Sequence, residues 1–171
     1  SLFGKHPSIN ECIHEGENSM FMNSVIHWIE KGYETCLQNR TLEKLTKIQH
    51  FCFINTQTDS FICGNIKPSK DRQNRKYPFV IAIEISPYST FETQEDIINY
   101  SKNLNKEILK ILKEEYSLEG LKAKLSSLYE NKNFIKETKN KISAIFTNED
   151  FSISKTFYRP LEVDDFRDIM E

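Results

Sequence analysis

The sequence predicts an α/β protein in which helices cover both faces of a central β-sheet. Short β-branched and aromatic runs bounded by Gly or Pro predict strands, and longer segments with apolar residues at three- and four-residue steps predict helices. The run Phe79–Ile83 is apolar at every position, which is typical of a strand that is covered on both faces. Because helices precede, separate and follow the strands, a layered α/β domain is favoured.

Apolar periodicity predicts three long helices. The first begins at Asn18 or Ser19, both good N-cap residues, and ends near Leu37. It carries the only Trp of the chain, Trp28, in the middle of its apolar face, so we expect Trp28 in the core and not in a ligand site. Thr93 and Asp96 resemble a capping box, which predicts the start of the second long helix. This second helix is predicted over residues 93–116, the third begins after its N-cap Ser117, and residues 40–47 are predicted to form a short polar helix.

Strands are predicted where short apolar runs end at turn residues. Pro78 has no N–H to give to a ladder, so it can only open its strand. Residues 4–8 are predicted to form a tight polar turn, because Gly4 supplies backbone freedom and Pro7 fixes φ. Residues 9–13 are ambiguous. The predicted strands are residues 50–55, 61–66, 77–85, 142–146 and 151–158.

The stretch of residues 64–79 contains a long polar loop that joins two of these strands. It carries five basic side chains and one acid, Asp71. Asp71 next to Arg72 suits a turn in which the carboxylate accepts hydrogen bonds from backbone N–H groups. In the structural interpretation, Asp71 and Arg72 pair with each other and hold the turn. In the functional interpretation, the Arg and Lys side chains recognise an anionic partner.

Composition and motifs argue against several classes of function, including nucleic-acid binding and membrane insertion. The chain has 171 residues and a net charge of −2, and its loop lacks exposed aromatic residues, which argues against nucleic acid. No apolar run approaches the ~20 residues needed to insert into a membrane, and the four cysteines are expected to be buried free thiols in a reducing cytosol. Phosphate-loop, dinucleotide and metalloprotease motifs do not occur. We therefore expect a cytoplasmic protein without catalytic residues, metal or cofactor.

The charge distribution suggests one domain followed by a tail. The domain is predicted to span residues 1–160, and residues 161–171 form an acidic C-terminal tail. The tail is either a short helix, with Val163, Phe166 and Ile169 on one side, or a loose end. Its charge is opposite to that of the polar loop, which raises the hypothesis that the tail folds over the loop and masks it.

Two motifs resemble a known family. Residues 4–13 (GKHPSINECI) are similar to the opening GK-x-PS motif of the TagF proteins of bacterial type VI secretion. Residues 64–79 (GNIKPSKDRQNRKYPF) are similar to that family's second Pro-Ser motif, and Trp28 lies between the two, as in the family. Glu11, Cys12 and Asn74 depart from the usual Asp, aromatic and Gly. Asn still reaches the left-handed φ that a Gly position requires.

The resemblance implies a fold and a role. The fold is a three-layer α/β/α sandwich around a mixed, largely antiparallel sheet. TagF proteins are cytoplasmic accessory factors that repress type VI secretion after translation, often through the forkhead-associated scaffold protein, and they are not known as enzymes. Other open functions are a small-anion-binding enzyme and a structural subunit of the secretion apparatus, each using the two Pro-Ser loops.

We expect the two Pro-Ser loops to meet in space and to form one polar, partner-binding surface. The alternative is that both loops are structural and only brace each other. The expected partner-binding residues are Lys5, Ser8, Ser69, Asp71, Arg72 and Arg75. The expected structural positions of the motifs are Gly4, Pro7, Trp28, Gly64, Pro68 and Pro78.

Overall fold

The computed structural model describes residues 1–7, 10–16, 19–39, 47–55, 57–86, 93–114, 117–130, 144–147, 153–157 and 161–170. These residues contain seven strands and four helices. The strands are β1 (Leu2–Lys5), β2 (Cys12–Glu15), β3 (Gln49–Asn55), β4 (Ser60–Lys67), β5 (Phe79–Ile85), β6 (Ala144–Thr147) and β7 (Ile153–Phe157). The helices are α1 (Met20–Gln38), α2 (Gln94–Glu114), α3 (Leu118–Glu130) and α4 (Val163–Met170).

The seven strands form one sheet in the order β2-β1-β5-β4-β3-β6-β7. All pairings between these described strands are antiparallel. The α/β class is confirmed, whereas the parallel component of the expected mixed sheet is not found among them. The reason lies in the connections. A parallel pair needs a helical crossover between neighbouring strands, but α1 connects β2 to β3, and α2 with α3 connects β5 to β6, and neither pair is adjacent.

The helices lie on both faces of the sheet. Successive side chains of a strand point to opposite faces, and β3 shows the division clearly. Phe51 and Phe53 belong to a core cluster with residues of α1 and α4. Cys52 and Ile54 belong to a second cluster with residues of α2 and α3. The protein thus has two hydrophobic cores separated by one sheet, which explains why its central strands are buried at nearly every position.

The helix starts agree with the capping residues expected from the sequence. Ser19 Oγ accepts a hydrogen bond of 3.0 Å from the backbone N–H of Met22 at the start of α1. Thr93 and Asp96 form the reciprocal capping box of α2, with Thr93 N donating to the Asp96 carboxylate and Asp96 N donating to Thr93 Oγ1. Ser117 Oγ accepts from the N–H of Gly120 in α3. These bonds satisfy backbone donors that have no partner inside the helix.

Trp28 packs against the core, as expected. Its ring makes edge contacts with Phe53 of β3 at 5.7 Å and with Phe166 of α4 at 5.6 Å between centroids. Its indole N–H donates a 2.7 Å hydrogen bond to the carbonyl of Glu162, just before α4. The single Trp therefore fixes α4 to the layer formed by α1.

The predicted acidic tail needs a correction, because most of it is helix α4 packed into the first core. Phe166, Ile169 and Met170 are buried in the cluster that contains α1. Their three- and four-residue spacing puts them on one face of a short helix, so the helical alternative is the observed one and these residues belong to the domain. The hypothesis that the acidic residues mask the polar loop stays a prediction.

The structure also corrects the N-terminal prediction. Gly4 and Lys5 were expected in a turn but lie in β1, and the ambiguous stretch ends in β2. Strands of four residues are too short to show a clear alternation, and β1 is positioned by pairing with the distant β5. Cys12 of β2 is exposed, contrary to expectation, whereas the other three thiols are buried and all four are free. The helix expected at residues 40–47 lies outside the described residues except for Lys47, which is not helical.

Gly32 explains how closely α4 approaches α1, and it gives a first prediction. A Cβ at this position would lie 2.2 Å from Cγ and 2.3 Å from Cβ of Phe166. Gly32→Ala gains up to about 1 kcal/mol of helix propensity, but we expect a net loss of about 2 kcal/mol from overpacking, measured by urea unfolding.

A double-mutant cycle separates this clash from other effects. In a Phe166→Gly background, which removes both clashing atoms and itself costs roughly 4 to 6 kcal/mol, the Gly32→Ala change should be neutral or stabilising. Gly120→Ala in α3 is the matched control and should not destabilise the protein. Equal losses for Gly32→Ala in both backgrounds would contradict the proposed contact.

Candidate functional site

The polar loop between β4 and β5 folds back on itself as a small hairpin. The N–H of Tyr77 donates a 3.1 Å hydrogen bond to the carbonyl of Ser69, and Lys70 and Lys76 form an antiparallel bridge. We call residues 69–77 the basic hairpin. It places two lysines directly opposite each other, and like charges in that position repel.

The tip of the basic hairpin is a tight turn. Asn74 N donates to the carbonyl of Asp71 at 3.0 Å, and Asp71 N donates to the carbonyl of Arg75 at 3.2 Å. Asn74 has a φ of +63°, the left-handed region in which Gly and Asn are preferred. A turn followed by a left-handed residue is a common three-residue hairpin connection. The Asn found in place of the family's Gly therefore keeps the same backbone shape.

The carboxylate of Asp71 is at the centre of this hairpin. Its Oδ1 accepts hydrogen bonds from the backbone N–H groups of Gln73 at 3.0 Å and Arg75 at 2.9 Å. Its Oδ2 accepts from Nζ of Lys5 at 3.0 Å and from Nε of Arg75 at 2.7 Å. The side chain of Asp71 is 0% exposed, whereas that of Arg75 is 55% exposed. Each carboxylate oxygen thus has two donors, as a buried charge requires.

This environment shifts the acidity of Asp71. Burial alone would raise the pKa of the carboxyl group, but hydrogen bonds from the Arg75 backbone, Lys5 and the Arg75 side chain outweigh burial. Together they hold the pKa of Asp71 well below its ordinary value. The carboxylate is therefore charged throughout the physiological pH range.

The two Pro-Ser motifs are joined at this site. Besides the Lys5–Asp71 ion pair, Nη2 of Arg75 donates a 2.7 Å hydrogen bond to the carbonyl of Asn10. Lys5 N donates to the carbonyl of Pro78 at 3.3 Å. A Cβ on Gly4 would lie 1.9 Å from that same carbonyl oxygen, so the close approach of the motifs requires glycine. The expected contact between the two loops is observed for these residues.

The other expected residues take different places. Arg72 is exposed at the tip of the basic hairpin. Asp71 does not pair with it but with Lys5 and Arg75, because the turn directs Arg75 back across the hairpin. Ser69 is half-buried and contributes its carbonyl to the hairpin. Ser8 lies outside the described residues.

The expected structural positions support the strands around the site. A Cβ on Gly64 would lie 2.0 Å from the carbonyl oxygen of Ile81, so glycine permits the close pairing of β4 with β5. Pro78 is buried and lies directly before β5. This is the position expected for a residue that has no N–H to donate to a ladder. Pro68 follows β4 and Pro7 lies in an exposed turn after β1.

Helix α1 supports the hairpin through a residue that the sequence analysis did not single out. The hydroxyl of Tyr33 donates a 2.6 Å hydrogen bond to the carbonyl of Lys76, and the ring of Tyr33 lies 4.6 Å from that of Tyr77. Burial raises the pKa of Tyr33 to about 12. The two partners of this hydrogen bond are 43 residues apart in the chain, so no local signal in the sequence marks it.

The outer surface of the hairpin is cationic. Lys70, Arg72, Arg75 and Lys76 are exposed, while Asp71 is buried and neutralises charge only internally. Nearby, burial and the charge of Lys67 lower the pKa of His6, whose ring packs on Phe79 at 5.3 Å. The neutral imidazole is therefore favoured at His6, and the surface charge comes from the Lys and Arg side chains.

A cleft of about 940 Å³ lies at the opposite end of β1 and β5. The five expected partner-binding residues that the structure describes do not contribute to its wall. Its polar lining includes Glu15, which forms an ion pair of 2.6 Å with Lys122, and Ser19, which donates to Glu84. Among the described residues, no group of three or more His, Cys, Asp or Glu side chains is arranged to hold a metal ion. No described helix is both long and apolar enough to cross a bilayer.

Comparison with known proteins places the chain in a family. The family model described as "TagF N-terminal domain, Type VI secretion system-associated" matches residues 1–128. The chain belongs to the TagF family. The match includes both Pro-Ser motifs, the basic hairpin and Trp28, so the resemblance seen in the sequence is confirmed. The protein is therefore associated with type VI secretion.

A solved structure supports the fold of this TagF protein. The structure of this chain is similar to the crystal structure of PA0076 from Pseudomonas aeruginosa PAO1, with a TM-score of 0.66. The similarity covers 99% of this chain and 92% of the other at 13% sequence identity. At that identity it shows the fold alone. The search of curated proteins gave no match.

The buried ion-pair cluster gives a second prediction. Asp71→Asn removes the charge that Lys5 and Arg75 share, leaving partly buried cations without an anion. We expect the melting temperature at pH 7 to fall by roughly 5 to 10 °C. Because the pKa of Asp71 is lowered in the folded state, its stabilisation is complete above the unfolded pKa of about 4 and is lost as pH falls below it. The wild-type and variant melting temperatures should therefore converge in acid.

An exposed carboxylate serves as the control for this titration. Glu34 forms an ion pair of 2.7 Å with Lys31 and is 52% exposed. Glu34→Gln should change the melting temperature by no more than about 1 °C at any pH. A difference between wild type and Asp71→Asn that stays constant from pH 7 to pH 3 would contradict the role of the charge.

The left-handed residue at the hairpin tip gives a third prediction. Asn74→Gly restores the residue usual in the family and should change the unfolding free energy by less than about 0.5 kcal/mol. Asn74→Ala should cost about 1 kcal/mol, because a Cβ without a local hydrogen bond is disfavoured at this φ. Chemical unfolding of both variants tests this, and a more stable Ala than Gly variant would contradict it.

Proposed function

We propose that this TagF protein is a cytoplasmic accessory factor of type VI secretion that represses the machine after translation by binding a protein partner. The candidate partner is the forkhead-associated scaffold protein of the same system. Family membership supports the association with secretion. The single observation that supports a binding role is the basic hairpin, which presents exposed cations on a backbone fixed by a buried ion-pair cluster.

Rigidity makes the hairpin suitable for recognition. Asp71 fixes the tip from within, and Tyr33 of α1 holds the strand that returns to β5. A surface that is already ordered loses little conformational entropy when it binds. Arg72 at the tip carries a guanidinium that can form two parallel hydrogen bonds with a carboxylate or a phosphate. The neighbouring lysines would speed the encounter with an acidic partner.

The chemistry of Asp71 supports binding over catalysis. A general acid or base must reach the substrate and have a pKa near the working pH. Asp71 is fully buried, all its oxygens are engaged, and its pKa is held low. Its geometry suits the role of a structural anchor for the cations around it. We therefore propose that the site recognises a partner and does not transform a substrate.

Calorimetric titration with the forkhead-associated scaffold tests the proposal. Wild type should bind, and Arg72→Glu should weaken binding by about tenfold or more by reversing a charge at the tip. The effect should shrink as salt is raised from 50 to about 300 mM, because exposed charges are screened. Melting curves should confirm that the variant is folded.

Lys110→Glu is the matched control. Lys110 is exposed on α2, which covers the face of the sheet opposite to the face covered by α1. This variant makes the same charge change and should leave affinity unaltered. Equal weakening by both variants would indicate a non-specific charge effect and contradict the site. Lack of binding by wild type would contradict the proposed partner.

Secretion in cells tests the direction of regulation. Overproduction of wild type should reduce the release of a type VI substrate into the medium, while Arg72→Glu at the same protein level should not. An unchanged or increased release with wild type would contradict repression. Stable co-sedimentation with the assembled apparatus would instead support a structural subunit.

A further inference from the structure

Strand β2 is at one edge of the sheet. It pairs with β1 on one side, and no other described strand pairs with its outer side. Two of its four residues, Cys12 and His14, are exposed. An edge strand presents backbone N–H and C=O groups that can pair with a further strand. The strand register shows which groups these are.

The hydrogen bonds of β1 fix the direction of its backbone groups. Ser1 and Ala82 exchange two backbone hydrogen bonds, of 2.6 Å and 3.0 Å. Such pairs alternate with non-bonded pairs along an antiparallel ladder, and the bond from Lys5 N to Pro78 O fits that alternation. The backbone groups of residues 1, 3 and 5 therefore point to β5. Those of residues 2 and 4 point to β2.

The register of β2 then identifies the backbone N–H and C=O groups of this strand that do not bond to β1. Leu2 is opposite Glu15 and Gly4 is opposite Ile13, so Glu15 and Ile13 are the residues that bond to β1. The backbone N–H and C=O groups of Cys12 and His14 point away from the sheet. These two residues have the spacing that one added strand would need.

The start of β2 lies beside the cationic surface. Arg75 of the basic hairpin donates its hydrogen bond to the carbonyl of Asn10, two residues before the strand. Lys5 is opposite Cys12 in the ladder. A chain added along β2 would thus pass from His14 at one end to the cations of the basic hairpin near Asn10 at the other.

We propose that the outer edge of β2 binds an extended segment of a partner protein as an additional strand, with acidic side chains at the end that meets the basic hairpin. This deepens the proposed function and rests on its binding role. Main-chain hydrogen bonds at Cys12 and His14 would supply the pairing. The exposed cations, Arg72 above all, would select carboxylates or phosphates at one end and set the orientation.

Charge complementarity favours this occupant over a second copy of the chain. Two copies joined through antiparallel β2 strands would place each basic hairpin beside the far end of the partner strand, where the carboxylate of Glu15 is already paired with Lys122. An acidic segment of a different protein neutralises those cations directly. Self-association is therefore an outcome that the experiment must detect.

Backbone-amide NMR titration of the full chain tests the proposal. The probe is a capped peptide of about six residues that alternates Val and Thr and ends in two Glu residues. We expect saturable shifts at the amides of Cys12 and His14, with a Kd on the order of 1 mM. The same peptide with Lys in place of Glu should bind at least about fivefold more weakly.

Two variants of His14 separate the backbone from the side chain. His14→Pro removes an N–H that faces outward and is compatible with an edge strand, and it should abolish the shifts at Cys12. His14→Ala keeps the N–H and should bind like wild type. Slow amide exchange at Ile13 and Glu15, whose groups bond to β1, verifies that β2 is intact in both variants.

The outcomes distinguish this inference from the proposed function. Absence of peptide shifts at Cys12 and His14, or normal binding by His14→Pro, would overturn the added strand even if the scaffold binds in an Arg72-dependent manner. Concentration-dependent shifts at these amides without peptide would assign the edge to a second copy and also overturn it. Peptide binding without scaffold binding would keep the inference and reject only the proposed partner.

Discussion

The buried carboxylate of Asp71 holds the functional end of this protein together. It joins Lys5 of the first Pro-Ser motif to Arg75 of the second, and it orders the turn between them through two backbone N–H groups. A buried anion is stable only where cations and hydrogen-bond donors surround it. Arg75, which pairs with Asp71 and is 55% exposed, therefore both stabilises the loop and contributes to the charge of its surface.

The sheet that carries this site is covered by helices on both faces. Helix α1 spans the first face and makes three connections: Ser19 bonds to Glu84 at the end of β5, Trp28 packs on α4, and Tyr33 holds the basic hairpin. The position of the hairpin thus depends on the same helix that anchors the C-terminal helix. A change at the α1–α4 contact is expected to be felt at the site through this rigid element.

Several elements were predictable because their signals are local. The caps at Ser19, Thr93 and Ser117 occur where the sequence places them, and each is formed within three residues of the chain. The turn at Asp71 was also predictable, since the carboxylate accepts from N–H groups two and four residues away. Short, distant pairings were not. Strands β1 and β2 have four residues each, and β1 is positioned by β5, far along the chain.

By itself, the sequence determined the α/β class, the principal helices and central strands, the polar loop and the family. These follow from periodicity, capping residues and motif spacing, all of which act over a few residues. Only the tertiary structure decided that Lys5 pairs with Asp71, that α4 belongs to the core, and that β2 forms an open edge beside the basic hairpin. Each of those depends on contacts between residues that are far apart in sequence, or on which strand happens to be last in the sheet. The pairing of distant segments leaves no local pattern in the chain.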